Sequence, residues 1–333
     1  MVSSSFLVPL LRKIAIKFSI LDQPNQAHKS HSESVPYLGG LSIIIPICLF
    51  AIIGPSILVE SSDYRVRTLL LLVPAVLLAL VGLYDDINNA SAFSRFLFQS
   101  VLSGSSCVFL NELGYSVSIT NSKEVNFLIS VIWLVGIINA FNFFDNLDGG
   151  AAGITFVSAA SLFILSIMAN QYFISAFALA LAGSSLGFLW WNKAPAKIYL
   201  GDAGSLFIGY LIGISILQFE PSVESKYASV LIPVFLLALP IIDTTVAVLS
   251  RISRGVSIFL GGQDHLSHRL IAIGLTKSQA AYWLWFAACI FSSLSFLVTK
   301  VSKSVETALS TLSLLFMGFL IVWFLSIDTN RKE

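Results

Sequence analysis

Residues 66–86, VRTLLLLVPAVLLALVGLYDD, decide the fold. From Thr68 to Tyr84 nothing is charged, and then two carboxylates, Asp85 and Asp86, follow at once. Backbone N–H and C=O groups in hydrocarbon must be satisfied within their own segment, so an apolar run of this length reads as a membrane-crossing helix. Nine further runs read the same way: about 38–58, 95–111, 126–141, 151–169, 172–190, 203–218, 228–250, 280–298 and 306–326. The chain is 56% hydrophobic and 11% charged, with mean hydropathy +0.87. No soluble interior could hide that much apolar surface, so lipid is the solvent for most of it. The expected architecture is all-α: a polytopic helical bundle of about ten full spans, in one membrane domain over 1–333.

The run at 6–20, FLVPLLRKIAIKFSI, is short and carries Arg12, Lys13 and Lys17. It fits the tail of a clipped first span or an interfacial helix, and no small-residue cleavage site marks it as a secretory signal. Cys48, Cys107 and Cys289 lie inside predicted spans and offer no disulfide framework. A net charge of +1 implies no nucleic-acid partner.

Five polar segments interrupt the oil, at 28–40, 85–95, 139–150, 191–205 and 251–279. They occupy every second gap between spans, so alternating helices deliver all five to one membrane face. Of the 19 Lys and Arg residues, ten lie on that side, six on the other and three in the N-terminal run, which favours the motif side as cytoplasmic. Acids at the ends of apolar spans are expensive and tend to be kept for a task. A solvated helix end could also carry an Asp-Asp pair, yet repetition on a single face points to a metal–phosphate site at the lipid surface.

The segment 139–150 holds Asn139, Asn142, Asp145, Asn146 and Asp148 before Gly149 and Gly150. Helical spacing puts 139, 142 and 145/146 on one face, where hard oxygen ligands suit Mg²⁺ and sugar or base hydrogen bonds. Asp202, in YLGDAGS at 199–205, opens a predicted helix; it reads as an N-cap or as a carboxylate beside a phosphate-binding helix start. In the last segment His265 and His268 are three apart, with Arg251, Arg254 and Arg269 nearby. That spacing is too loose for zinc and suits groups that meet a diphosphate.

In order, these motifs are Asp22-Gln-Pro24-Asn25, Lys29-Ser-His31, Pro36, Gly39-Gly40; Gly82, Asp85-Asp86, Arg95, Gln99; and Asn139, Asn142, Asp145-Asn146, Asp148-Gly149. Then come Gly187-Phe188, Asn192, Pro195-Ala196, Gly201-Asp202, Gly204-Ser205; Asp243-Thr244, Arg251, Gly255, Phe259; and Asp264-His265, His268-Arg269. From about residue 8 to 275 the chain resembles the polyprenyl-phosphate N-acetylhexosamine-1-phosphate transferases, glycosyltransferase family 4. It departs from them at Ser267, where a histidine is common, at Asn146, where many relatives have glycine, and at His28, where an arginine is usual. Relatives usually have one span more, and this chain starts part-way through the first. Val35-Pro36-Tyr37-Leu38 is unlike the branch that transfers phospho-MurNAc-pentapeptide for peptidoglycan, and more similar to the UDP-HexNAc branch.

The resemblance implies a UDP-N-acetylhexosamine donor, undecaprenyl phosphate as acceptor and UMP as product. The sugar expected first is GlcNAc, with GalNAc, QuiNAc and FucNAc next, in O-antigen, teichoic acid or capsule synthesis. It implies Mg²⁺, with Mn²⁺ as the alternative, on Asn142 and Asp202. Asp85 or Asp86 would serve the attacking lipid phosphate, as base or by orienting it, and a covalent aspartyl-phosphate route stays open. Substrate contacts fall to Lys29, His31, Asn139, Asp145, Asp148, Asn192, His265, His268 and Arg269. The setting implied is the bacterial inner membrane with the active site facing the cytoplasm, and a homodimer is left open. The competing readings are the peptidoglycan transferase and a carrier of lipid-linked or nucleotide-linked sugars. Carriers place their charges near the midplane, often in repeated halves, and neither is found here.

Overall fold

The computed structural model describes residues 1–22, 34–58, 62–88, 90–115, 117, 119–259 and 261–328. The helices are α1 (Val2–Lys17), α2 (Leu41–Leu58), α3 (Ser62–Asn88), α4 (Ala92–Glu112), α5 (Lys123–Phe144), α6 (Gly150–Met168) and α7 (Tyr172–Asn192). They continue with α8 (Gly201–Leu217), α9 (Lys226–Leu236), α10 (Ala238–Ser253), α11 (Leu266–Ala272), α12 (Lys277–Val298) and α13 (Lys303–Ser326). Between α1 and α2, β1 (Leu21–Asp22) pairs antiparallel with β2 (Val35–Pro36), a small exception to the all-α expectation.

Six helices among the described residues are long and apolar enough to cross a membrane, or up to seven if a bent pair counts as one span. The chain is therefore a multi-pass helical membrane protein. The bent pair covers the span expected at 228–250, and its two halves, α9 and α10, meet at 76°. The cause is local. Pro240 has no N–H to give to the Leu236 carbonyl one turn back. That carbonyl instead accepts from Ser158 Oγ of α6 at 2.7 Å, so a neighbouring helix satisfies the group the break exposes.

Helix α8 is the axis of the bundle. Almost every residue from Gly201 to Ile216 is buried, and it packs most extensively against α3 and α5. Small residues make this close approach workable, as is usual where helices pack in lipid. One apolar core lies mainly among α1–α8 and a second among α9–α13, with Phe144 and Leu147 from the end of α5 reaching into the second.

Alternation of the spans is visible in the polar contacts at each end. At one end Asp85, Arg95, Asn142 and Asp202 touch. At the other, Arg67 donates to Gln218 at 3.2 Å, Gln171 donates to the Glu220 carbonyl at 2.6 Å, and buried Glu306 accepts from the Ser225 N–H at 2.8 Å.

Candidate active site

Adjacent residues on a helix point about 100° apart, and the two acids that close α3 go to different partners. Asp86 turns to the start of α8, accepting the Asp202 N–H at 2.8 Å and the Ala203 N–H at 3.2 Å. It acts as an N-cap supplied by another helix: it satisfies two free amides and sets negative charge at the positive end of the dipole. Leu200, in the cap position of α8, has no side chain able to do this. Glycine makes the approach feasible. Gly201 sits at φ 75°, and a Cβ there would stand 2.6 Å from Asp86 Oδ2; a Cβ at Gly82 would stand 2.4 Å from the Asp202 carbonyl group.

Asp85 faces the neighbouring helix instead. Arg95 Nη1, from α4, donates to Asp85 and to Asp202, so one guanidinium bridges α3 and α8. Asn142, in the last turn of α5, donates Nδ2 to Asp202 Oδ1 at 2.8 Å and to Ser205 Oγ at 3.1 Å. Asp145 caps the end of α5 and accepts the Gly201 N–H; burial, then the charges of Asp202, Asp86 and Asp148, hold its carboxyl well above the ordinary range. Asp148 accepts the Ala196 N–H at 3.0 Å, tying the loop after α5 to the loop before α8.

Carboxylate and carboxamide oxygens such as those of Asp85, Asp202 and Asn142 are of the kind a hard divalent cation takes. Arg95 Nη1 already lies between Asp85 and Asp202, the place where carboxylates of two helices converge on positive charge. Among the described residues no three acids, histidines or cysteines yet stand together as a metal-holding group. Asn142 presents its nitrogen to Asp202, so ligation through its oxygen needs the amide turned over.

A second polar network lies on α10 and α11. Arg251 forms a two-pronged pair with Asp264, at 3.0 and 2.9 Å, and Arg254 adds to it. Burial alone would raise Asp264, but the bonds and charge of Arg251, with His265 and Arg254, hold its carboxyl below the ordinary value. His265 has both nitrogens engaged, Nδ1 with Asp243 at 2.7 Å and Nε2 with Arg251 at 3.2 Å. Burial, then the charge of His265, bring His268 down to about 4, and its buried Nδ1 has no hydrogen-bond partner among the described residues.

The structure thus gathers Asp85, Asp86, Arg95, Asn142 and Asp145 around Asp202. Other expected substrate contacts have protein partners here. Asn192 accepts the Gly149 N–H and donates to the Ile198 carbonyl, both at 3.0 Å. Arg269 donates to the carbonyls of Asp264, Phe324 and Ile327, holding the end of α13. Asn139 turns back to the Val135 carbonyl of its own helix at 2.8 Å. Lys29 and His31 lie outside the described residues. Reasoning from residue types passed over Arg95, Ser205 and Asp243 as site members. Asp243 did carry a signal, since an acid inside LLALPIIDTTVAVL must find a partner.

An apolar bundle that gathers carboxylates and a bridging arginine at one face is built to handle phosphate groups at a membrane. A model of such a class, "Glycosyl transferase family 4", matches residues 68–220, which hold the whole Asp85–Asp202 cluster. The chain is 33% identical over 331 residues to the "Probable undecaprenyl-phosphate N-acetylglucosaminyl 1-phosphate transferase" of Bacillus subtilis (strain 168), covering 96% of this chain and 87% of that relative. It is 27% identical to the "Decaprenyl-phosphate N-acetylglucosaminephosphotransferase" of Mycolicibacterium smegmatis, over 86% of this chain and 77% of that one. It is 28% identical to the "Undecaprenyl-phosphate alpha-N-acetylglucosaminyl 1-phosphate transferase" of Escherichia coli (strain K12), over 86% and 78%. The chain belongs to glycosyl transferase family 4.

Proposed function

We propose that this enzyme transfers N-acetylglucosamine-1-phosphate from UDP-GlcNAc to undecaprenyl phosphate, releasing UMP and starting a cell-surface polysaccharide. The observation that carries the reading is the meeting of Asp85, Arg95, Asn142 and Asp202 at the ends of membrane helices. The names of the relatives support the substrates. An oxygen of the lipid phosphate forms a bond to the β-phosphorus of the donor. The bond from that phosphorus to the bridging oxygen breaks, and UMP leaves with the oxygen and its electron pair.

Both substrates are anionic, so positive charge must offset their repulsion before they can meet. Asp202 and Asn142 would hold Mg²⁺, which when bound supplies charge neutralisation and Lewis acidity at the diphosphate. Asp85 stands beside α4, whose Phe93, Leu97 and Val101 are exposed to the bilayer, and orients or deprotonates the acceptor arriving there. Asp145 and Asp148, outside the helix ends, face the side from which a soluble nucleotide sugar comes. The test is UMP release by purified protein given UDP-GlcNAc, Mg²⁺ and undecaprenyl phosphate. Release that needs all three is expected; a carrier or scaffold releases none.

The cluster faces the cytoplasm of the bacterial inner membrane, in a chain of about ten spans that includes the shorter α2 and α8. Cysteines at Ser91, Ala194 and Ser257, in a background lacking Cys48, Cys107 and Cys289, are expected to react with impermeant thiol reagents only from inside. One at Glu220 reacts only from outside. Labelling of all four from one face would overturn this orientation.

A further inference from the structure

Asn146 and Ser267, two of the three positions where the sequence departs from its resemblance, touch: Ser267 Oγ donates to Asn146 Oδ1 across 121 residues of chain. Ser267 is 3% exposed and Asn146 half-buried, so the bond is partly screened from water. Asn146 in turn donates Nδ2 to the Phe143 carbonyl at 2.6 Å. Phe143 is also where the second network docks: the His265 ring meets it edge-on at 5.8 Å, and the Arg251 guanidinium lies over it at 5.2 Å.

Helix α11 is held on three sides. Its first amide, from Leu266, goes to Asp243 of α10 at 2.7 Å, and Arg269 binds the end of α13. Among the described residues of α11, only Ser267 bonds to the loop that carries Asp145 and Asp148. Both sides of that bond are anchored in the second apolar core, through Leu147 of the loop and Leu266 of α11. The bond sets the spacing between the carboxylate loop and the histidine-bearing segment, both beyond the helix ends on the aqueous side.

We propose that the Asn146–Ser267 pair is a positioning joint that determines how the nucleotide-sugar donor, and not the lipid acceptor, is gripped. This rests on the function proposed above. In this reading Asp85 serves the acceptor on the α3–α4 side of Arg95, and the donor falls to the loop at 145–149 and to α11, whose His268 has a buried Nδ1 with no hydrogen-bond partner among the described residues. Loosening the joint shifts that loop against α11 and leaves the Asp85–Arg95–Asp202 bridge as it is.

The experiment compares wild type, Ser267→Ala, Ser267→Thr, Asn146→Ala and the Ser267→Ala/Asn146→Ala double variant as full-length purified proteins. UMP release is measured against UDP-GlcNAc at saturating lipid phosphate, and then the reverse. Ser267→Ala is expected to raise donor KM about 5- to 20-fold, with kcat and lipid KM within about twofold. Threonine, which keeps the hydroxyl, restores donor KM, and the double variant is no worse than either single one because both remove the same bond. The ratio of UDP-GlcNAc to UDP-GalNAc use should fall in the alanine variants. An unchanged donor KM, or equal effects on donor and acceptor, overturns the proposal while wild-type turnover leaves the enzymatic reading standing. If wild type releases no UMP, the enzymatic reading falls, and amide hydrogen exchange over 264–272 decides the joint by itself. Faster exchange there in alanine but not threonine variants, with α8 unchanged, upholds it; equal exchange overturns it.

Discussion

Asp202→Asn is expected to lower turnover by about 10³-fold or more while the protein still folds. The carboxylate is the point where α3, α4, α5 and α8 meet electrostatically, through Arg95 and Asn142. An amide has no charge with which to hold a divalent cation or balance Arg95. The fold does not depend on that charge, because Asp86 secures the start of α8 through the backbone N–H groups of Asp202 and Ala203. Removing one of several clustered carboxylates also relieves repulsion, so the melting temperature is expected to be unchanged or slightly raised. Turnover near wild type with the same magnesium requirement would remove Asp202 from the metal site.

The second large effect separates Asp85 from Asp86, and the structure gives the pair a division that adjacency alone could not. Asp85→Asn should cut kcat by about 100-fold or more, with donor KM and melting temperature close to wild type. Asp86→Ala should cost activity by a different route. It strands two amides at a buried helix start, a loss of about 1–3 kcal/mol, and lets α8 shift with Asp202 on it. Its signature is a lowered melting temperature together with lost turnover, and Asp86→Asn, which keeps an acceptor oxygen, should recover part of the stability. If Asp85→Asn destabilises the protein and Asp86→Ala does not, the two roles are exchanged. If neither affects turnover, the pair serves only to hold α3, α4 and α8 together.

Much of the bundle was legible in the chain because lipid imposes a simple rule: long apolar runs must be helices, and polar residues cluster where those helices end. That rule located α3, α5, α6, α7, α12 and α13 to within a few residues. It also brought Asp85, Asn142 and Asp202 to one face, since alternation of spans decides which ends meet. Hydropathy could not show the 76° bend between α9 and α10, because both sides of it are equally apolar and the break depends on one missing N–H at Pro240.

Direction was the other missing quantity. The sequence by itself determined a helical membrane protein with its acids and amides at one end, since hydrophobic length and charge placement are properties of residue order. Only the tertiary structure decided that Asp86 caps α8 while Asp85 meets Arg95. It also turned Asn192 and Arg269 to backbone carbonyls, and joined Ser267 to Asn146. The reason is physical. A buried polar atom takes the partner that packing brings within about 3 Å, and several of those partners, such as Asp202 for Asp86 and Asn146 for Ser267, lie more than a hundred residues away, where no local pattern encodes them.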